Sequence, residues 1–485
     1  MSASPSVRSM FRSSRVRRGF AACAVILAAG GLVLVRAPSH ARGDAAVTSV
    51  ASPSAPNTAT TATFDGARAH GRFSLSHGKL LAGAPRTFYG ELVLSADASE
   101  QAKARAPLSL AVVLDRSGSM GGEKLDRAKE AVIELVRTLD ADDEIALVQY
   151  DNASEVIQPL ARVGNVREAL LAKVRAITDG GGTNIPPALA MGLDQLKEAS
   201  RSHVRRVVLA SDGLDSTRLL AEDIARKSAQ QGITISSMGI GLDFDEGYMG
   251  GVAQAGRGNF AFVKDASALA GFLKREVKEG ASTTIESATA RITLPAGVRF
   301  VRATGADVRS LDDNVLELSM GSLFAGDERR VVIEMTGDVP AGELRKLGGT
   351  VSWGLVGGGN VNRDLDAIAI GGATDAREVE ESRDGAVLAS AVSALASVRQ
   401  LEAIDAYNRG ESGRAQALIG ENEVALQAAA SAAPAPVAAA LDRQLADYGD
   451  AKRAFAAAPP KSAEGKAAAK ASAAKDLANT NRNAF

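Results

Sequence analysis

The sequence predicts an α/β protein in which a doubly wound domain is inserted into a β-sandwich and is followed by a small helical C-terminal region. Three observations lead to this prediction. Apolar strand-like runs alternate with amphipathic helical stretches over residues 106–280, which is typical of a doubly wound parallel sheet. Short strands with a period of two follow over residues 281–372, as in a sandwich. A helical periodicity returns after residue 375.

The first 41 residues have the composition of a secretory signal peptide. Several arginines precede an apolar stretch over residues 19–35, and Ser39-His40-Ala41 resembles a small-x-small cleavage site. We expect cleavage after Ala41 and export to the periplasm or cell envelope, or secretion. A retained membrane anchor is the alternative, although the stretch is shorter than a usual span. After cleavage we expect no stable membrane span and, because Cys23 is the only cysteine, no disulfide.

Two separate segments are predicted to form the sandwich. Residues 42–63 are rich in Ala, Ser, Thr and Pro and are predicted to be a linker. Residues 64–105 then contain strand-like runs between turn signals, and we predict that they form the first part of the sandwich. Residues 281–372 would be its second part. The domain over residues 106–280 would therefore be an insertion with both of its ends at one edge.

Within the inserted domain, apolar runs and helical stretches alternate regularly. The apolar runs predict strands at 108–114, 144–150, 154–160, 206–212, 233–240 and 259–263. The stretches between them predict helices at 122–139, 166–177, 185–201, 217–231, 246–255 and 266–279. In the first of these helices the apolar residues recur at a spacing of three to four. This alternation predicts a mostly parallel sheet with helices on both faces.

The C-terminal part of the chain is predicted to be helical and then disordered. An apolar stripe runs from Val387 to Ile404, and prolines at 434 and 436 break the pattern before a last helix. We assign residues 375–457 to this helical region. Residues 458–485 are rich in alanine and lysine and contain almost no large apolar side chains. Such a composition predicts a disordered tail.

Oxygen-bearing side chains follow two of the buried strands at the points where the strands end. Asp115, Ser117 and Ser119 come directly after the strand at 108–114, and Asp212 ends the strand at 206–212. In open α/β sheets, loops from separate strands meet at this edge. Such ligands suit a hard divalent cation. The alternative is that Ser117 to Ser119 only form a turn and cap the next helix, which leaves the other oxygen ligands unexplained.

These motifs resemble the von Willebrand factor type A (VWA) domain with its metal-ion-dependent adhesion site. The resemblance is carried by Asp-x-Ser-x-Ser at 115–119, Gly-Gly-Thr-Asn at 181–184 and Ser-Asp-Gly at 211–213, and it covers about residues 106–280. Residues 123–129 and 239–246 are similar to the bacterial exported branch. The resemblance implies a Rossmann-like domain that binds Mg²⁺, although Mn²⁺ or Ca²⁺ also suits oxygen ligands. The implied metal ligands are Asp115, Ser117, Ser119, Thr183 and Asp212.

The same resemblance implies an exported, metal-dependent protein-binding function in adhesion or envelope assembly. The partner would be an unidentified protein that presents an Asp or Glu to the metal. Two alternatives are a structural envelope protein with a permanently occupied ion, and an accessory component of an enzyme or transport complex. Asp243, Asp245 and Glu246 could form a second ion site, but acidic residues are also favoured at the start of a helix.

We do not expect the chain to be an enzyme or to bind nucleic acid. It contains no His-Glu-x-x-His motif, no P-loop and no nucleophile elbow, so zinc proteolysis, P-loop ATP binding and that hydrolase chemistry are unsupported. The formal net charge is −1, whereas nucleic-acid-binding domains are usually basic.

Overall fold

The computed structural model describes residues 59–98, 106–200, 202–212, 215–263 and 266–481. The predicted signal peptide, residues 1–41, lies outside these residues, and so does most of the predicted linker. The first strand already begins at Thr61. The last three residues of the predicted linker therefore belong to the sandwich.

The sandwich consists of two sheets that share one apolar core. The first sheet contains, in spatial order, β1 (Thr61–Gly66), β2 (Ala69–Leu75), β4 (Arg86–Ala96), β15 (Glu328–Gly337) and β12 (Val298–Thr304). The second contains β13 (Asp307–Asp312), β14 (Val315–Phe324), β11 (Thr283–Thr293), β16 (Leu344–Leu355), β17 (Asn360–Ala373) and β3 (Lys79–Leu81). Alternate side chains of both sheets point into the core, where Trp353 is buried.

The inserted domain interrupts the sandwich between β4 of the first sheet and β11 of the second sheet. Strand β4 precedes the insertion and β15 follows it, and the two are antiparallel neighbours, with Ser95 opposite Glu328. The chain enters and leaves the domain at adjacent points, because the amide of Ala106 donates to the carbonyl of Ala281 at 3.1 Å. The predicted insertion is confirmed.

The inserted domain is a six-stranded sheet covered by helices on both faces. Its strands, in chain order, are β5 (Leu108–Asp115), β6 (Glu144–Tyr150), β7 (Ser154–Arg162), β8 (Val204–Ser211), β9 (Ile233–Ile240) and β10 (Arg257–Val263). Its helices are α1 (Glu123–Thr138), α2 (Val163–Arg175), α3 (Ile185–Gln195), α4 (Arg218–Gln230), α5 (Glu246–Ala255) and α6 (Ala266–Ala281). Two apolar clusters, one on each face, hold the helices to the sheet.

The strand order places a crevice at the carboxyl end of β5. The spatial order is β10-β9-β8-β5-β6-β7, and all neighbours are parallel except β6 and β7. The chain leaves β5 toward β6 on one side and later returns to β8 on the other side. Ligands of open α/β sheets bind at such a switch point. Every residue of β5 is buried, as expected for a strand covered on both faces.

Between the sandwich and residue 481, where the described residues end, the chain forms five helices. They are α7 (Ala376–Glu381), α8 (Gly385–Asn408), α9 (Ser412–Ala432), α10 (Ala435–Ala457) and α11 (Ala463–Asn481). Asp384 caps α8 by accepting hydrogen bonds from the amides of Ala386 and Val387, which satisfies two free donors of the first turn. Of the helices that the structure describes, α8 alone is long and apolar enough to cross a membrane. More than half of its apolar window is buried, as in the core helix of a folded region.

The predicted disorder of residues 458–485 does not hold for residues 463–481, which form α11. The absence of large apolar side chains was the basis of that prediction. Alanine has the highest helix propensity, and its small side chain lets helices approach closely. Ala469 and Ala473 are buried in the helical core. On another side, α11 contacts α5 and β10 of the inserted domain.

Candidate metal centre

Asp115 is the innermost member of the predicted site. It is the last residue of β5 and is fully buried. Its Oδ1 accepts a hydrogen bond of 2.7 Å from the amide of Ser117, and its Oδ2 accepts one from the hydroxyl of Ser211. Burial raises the pKa of Asp115, hydrogen bonds from Ser211 and Ser117 oppose this shift, and the nearby Asp212 adds to it. A cation beside this carboxylate would favour its ionised form.

The hydroxyls of Ser117 and Ser119 face each other in the loop after β5. Their Oγ atoms are 3.1 Å apart. A single turn of 3-10 helix, Gly118–Met120, carries this loop, and buried Met120 anchors it. Neither serine caps a helix through its side chain, and the N-cap of α1 is Gly122. The serines therefore form a turn, as the alternative interpretation held, but they do not cap the next helix through their side chains.

Asp212 joins the same group of side chains from the neighbouring strand. It follows β8 directly and is 1% exposed. The hydroxyl of Ser119 donates to Asp212 Oδ1 at 2.8 Å. Four of the five predicted ligands, Asp115, Ser117, Ser119 and Asp212, are thus brought together by hydrogen bonds across the crevice between β5 and β8.

Thr183 is brought to the same side of the sheet by its loop. The amide of Gly118 donates to the carbonyl of Gly181 at 3.0 Å, and the amide of Gly180 donates to the carbonyl of Arg116 at 2.9 Å. Gly181 has φ of +75°, a conformation that favours glycine. Thr183 is half-buried and lies two residues before α3. The glycine-rich loop therefore contacts the Asp115 loop through its backbone.

Lys124 is a functional candidate that the sequence analysis did not select. It lies in the first turn of α1, and its ammonium group pairs with Asp212 Oδ2 and donates to the carbonyl of Ser119 at 3.2 Å. A positive charge of the chain itself thus contacts the predicted ligands. The lysine is part of the 123–129 motif, but nothing in that motif indicates a contact with Asp212.

The donor set fits a hard divalent cation. It consists of two carboxylates and hydroxyl groups, and oxygen ligands are those that Mg²⁺, Mn²⁺ and Ca²⁺ prefer. A cation is already accommodated next to Asp212 in the form of the Lys124 ammonium group. Within the described ranges, no group of three or more His, Cys, Asp or Glu residues is arranged to hold a metal ion. A cation here would consequently rely on hydroxyls and water as well as on two carboxylates.

The acidic residues before α5 have other roles. Asp245 is the N-cap of this helix, and its side chain accepts a hydrogen bond of 3.0 Å from the amide of Tyr248. Asp243 pairs with Lys466 of α11 at 2.9 Å and lies 3.8 Å from the Lys124 ammonium group. The Lys466 hydrogen bond is the main reason that the pKa of Asp243 is lowered. Capping is therefore confirmed for Asp245.

Comparison with known proteins identifies the inserted domain. Residues 109–275 match the family model of the von Willebrand factor type A domain. An uncharacterized protein of Synechocystis sp. is 25% identical over 197 residues, which cover 40% of this chain and 46% of the relative. The uncharacterized protein YfbK of Escherichia coli (strain K12) is 27% identical over 254 residues, which cover 49% of this chain and 43% of YfbK. The matches thus span less than half of either relative.

A solved structure shares the architecture as well as the domain. A von Willebrand factor type A protein from Catenulispora acidiphila superposes with a TM-score of 0.64 at 18% identity, and the match covers 88% of this chain and 98% of that one. At this identity the likeness concerns the fold alone. Together with the family match, it shows that this chain contains a von Willebrand factor type A domain.

Proposed function

We propose that the VWA domain binds a divalent cation, with Mg²⁺ as the expected ion. The site with its bound cation then accepts an Asp or Glu side chain of a partner protein. The observation that carries this proposal is the hydrogen-bonded row of Ser117, Ser119 and Asp212 beside buried Asp115. When bound, the cation supplies a positive charge that an incoming carboxylate can meet. The resemblance of these residues to the metal-ion-dependent adhesion site of VWA domains supports the proposal.

The burial of the site residues indicates how a partner would reach it. Asp115 and Asp212 are buried, whereas Ser119 is exposed. The protein carboxylates and buried Ser117 therefore lie on the inner side of the site, and Ser119 lies on the solvent side. Binding of a cation to Asp212 requires the Lys124 ammonium group to give up its contact with Oδ2. The protein thus holds the ligand oxygens in place, and the Lys124 ammonium group moves away from Asp212 when the cation binds.

An apolar surface lies near the same edge of the sheet. Leu219 and Leu220 are 79% and 55% exposed, and they occupy the first turn of α4, the helix that follows Asp212 in the chain. The hydroxyl and amide of Thr217 bind Asp215, which also accepts from the amide of Ile185 at 2.8 Å. This places the start of α4 beside the start of α3. We infer that the partner also packs apolar side chains against Leu219 and Leu220, in addition to binding the cation through its carboxylate.

Calorimetric titration of the purified chain with MgCl₂ tests the cation site. We expect one binding site in the wild type, none in a folded Asp212→Asn variant, and unchanged binding in Asp194→Asn. Asp194 is a suitable control because it is an exposed carboxylate paired with Lys197 at the end of α3. Equal Mg²⁺ binding by all three proteins would refute the assignment of the site.

Affinity capture of envelope proteins on the immobilised chain tests the partner. We expect a protein that is retained in Mg²⁺, released by EDTA and absent with Asp212→Asn. Leu219→Ser/Leu220→Ser should weaken its capture, whereas Val424→Ser, at a 70% exposed residue of α9, should not. Mg²⁺ binding without any such partner would instead favour a structural ion.

We also propose that the chain is exported, on the basis of the charge and apolar pattern of residues 1–41. Mass spectrometry of the protein isolated from its native cell envelope should show a mature N-terminus at Arg42. Peptides from residues 19–35 in the mature protein would instead indicate a retained anchor.

A further inference from the structure

A cavity of about 580 Å³ lies in the C-terminal helical region, mainly between α10 and α11. Its volume is in the range of small-molecule binding sites. Much of its wall consists of alanine side chains, which are too small to fill the space between the facing helices. These alanines are Ala440, Ala451, Ala454, Ala468, Ala471 and Ala478.

Polar groups form the floor of the cavity. The Tyr448 hydroxyl donates to Asp476 Oδ1 at 2.7 Å and accepts from Gln444 Nε2 at 2.8 Å. Asn479 Nδ2 donates to the hydroxyl of Ser397 at 2.7 Å. Both Tyr448 and Asp476 are 3% exposed. The network joins α8, α10 and α11 and lines an open space, so it has room to receive a further partner.

Asp476 is a buried carboxylate without a cationic partner among the described residues. Its hydrogen bonds come from neutral groups, Tyr448 and, at 3.5 Å, Ser472. The cation next to it in the chain, Lys475, points to the rim and pairs with Asp447 at 2.5 Å. Burial raises the pKa of Asp476 to about 7, and the charge of Asp447 adds to the shift. An ionised carboxylate in such a place is costly unless a cation accompanies it.

We propose that this cavity binds a small organic amine, whose ammonium group pairs with the carboxylate of Asp476 and whose aliphatic part lies against the alanine walls. A carboxylate ligand is disfavoured because its charge would approach the buried Asp476. Arg443, which also lines the cavity, is exposed at its mouth and does not contact the floor network described above. The proposal concerns a different part of the chain from the metal centre and does not depend on it.

Calorimetric titration with hexylamine, hexanol and hexanoate tests the charge requirement. These probes have the same carbon chain and differ in the charge of the head group. We expect hexylamine to bind at least about tenfold more tightly than hexanol, and hexanoate not to bind. At pH 6 hexylamine binding should release a proton, because the carboxyl group must ionise to pair with the ammonium group. Hexanol binding as tight as hexylamine binding, or preferential hexanoate binding, would overturn the proposal.

Substitutions locate the binding. Asp476→Asn should weaken hexylamine binding at least about tenfold and leave hexanol binding unchanged. Ala451→Phe should block both probes by filling the cavity without removing any group of the polar network. The control is Ala456→Phe, at an exposed position of the same helix, which should bind as the wild type does. Undiminished hexylamine binding by the folded Ala451→Phe protein would show that the amine does not enter the cavity.

Discussion

Lys124 gives the candidate metal centre an internal cation. Its ammonium group contacts Asp212 and the carbonyl of Ser119, and it lies 3.8 Å from Asp243. Asp212 is almost fully buried, so a cation beside it offsets a large desolvation cost. A divalent ion that binds Asp212 must compete with this ammonium group. If the site binds a metal as proposed, Lys124 would therefore set how strongly it is held.

We expect Lys124→Met to bind Mg²⁺ more tightly, by about tenfold or more, because an internal competitor and a repelling charge are removed. Without metal, the same variant should be less stable than the wild type, because Asp212 loses its cation. Thermal unfolding in EDTA and in MgCl₂, together with calorimetry, measures both effects. Arg137→Met is the control, since Arg137 lies at the other end of α1 and pairs only with exposed Glu134 among the ion pairs described. Weaker Mg²⁺ binding by Lys124→Met would contradict this account.

Asp476 should make stability depend on pH in the opposite direction from an ordinary paired carboxylate. Its folded-state pKa is about 7, above the usual value of 3.8. Between these values the folded protein holds a proton that the unfolded chain has lost, so stability falls as pH rises to about 7 and is then constant. The full loss is on the order of 4 kcal/mol.

Asp476→Asn should abolish this loss. We expect the variant to unfold at a higher temperature than the wild type at pH 8, with a smaller difference at pH 5. Unfolding curves across this pH range provide the measurement. Asp450→Asn, at an exposed carboxylate of α10, should follow the wild type. A wild-type stability that does not fall between pH 5 and pH 7 would contradict the raised pKa.

The convergence of the site residues could be foreseen, but Lys124 could not. Asp115 and Asp212 end adjacent parallel strands, and such ends meet at one edge of the sheet. The position of Lys124 depends on the direction in which α1 leaves the loop. Its partner Asp212 is 88 positions away, and no local pattern reports a contact of that range.

At the scale of elements, strong local signals gave accurate bounds. Strand β9 and helix α5 have the bounds that were predicted, 233–240 and 246–255, because an apolar run and an acidic N-cap mark them. Strand β17 lies in the segment that was assigned to the sandwich, but no clear strand-like run marks its whole length. Asp364 and Asp366 are exposed in its first half. These charged residues obscure the apolar strand pattern, which becomes clear only in the buried second half. Helix α11 was missed because its packing relies on alanines and polar contacts.

Helix α11 packs closely against the VWA domain at Gly250. A Cβ atom added to this glycine of α5 would lie 2.4 Å from Leu477 Cδ1. Lys470 of α11 strengthens the contact, because its ammonium group donates to the carbonyl of Phe244 at 2.7 Å and lies 4.0 Å from the centre of the Phe244 ring. The two elements therefore leave no space for a larger residue here.

We predict that Gly250→Ala destabilises the protein by about 1–3 kcal/mol, as overpacking does, although alanine favours a helix by about 1 kcal/mol over glycine. Adding Leu477→Ala should restore part of the loss by making space. Chemical denaturation of the single and double variants measures the coupling. Gly420→Ala is the control, because nothing lies within 4 Å of a Cβ atom at this position of α9, and it should be neutral or stabilising. Additive effects of the two substitutions would argue against the contact.

At the scale of the whole molecule, the inserted VWA domain has its own apolar core, and its first and last residues lie next to each other. Both apolar clusters of the sheet lie within it, apart from the contact of Val356. The contacts of the VWA domain with the rest of the chain include the ion pair of Arg226 with Asp307 at 3.0 Å and the packing of α11 against it. The separation could be anticipated, because the hydrophobic period changes at both borders of the domain.

We expect residues 106–281 to fold alone and to bind Mg²⁺ with an affinity within about threefold of that of the full chain. Their unfolding temperature should be lower, because the contacts with α11 and with Asp307 are lost. Circular dichroism on heating and Mg²⁺ calorimetry test both statements. A protein that unfolds without a cooperative transition would show that the sandwich or α11 is required for the domain to fold.

The pairing of β4 with β15 has a consequence for the order of folding. These strands are separated by the whole VWA domain, and closing so long a loop costs entropy that grows with its length, by about 0.6 kcal/mol for each doubling. Once the VWA domain has folded, Ala106 and Ala281 are hydrogen-bonded neighbours, and the loop left to close consists mainly of the sandwich residues 282–327. We therefore expect the sandwich to form after the inserted VWA domain has folded. Trp353, the chain's single tryptophan and a core residue of the sandwich, should become buried in the last phase of refolding.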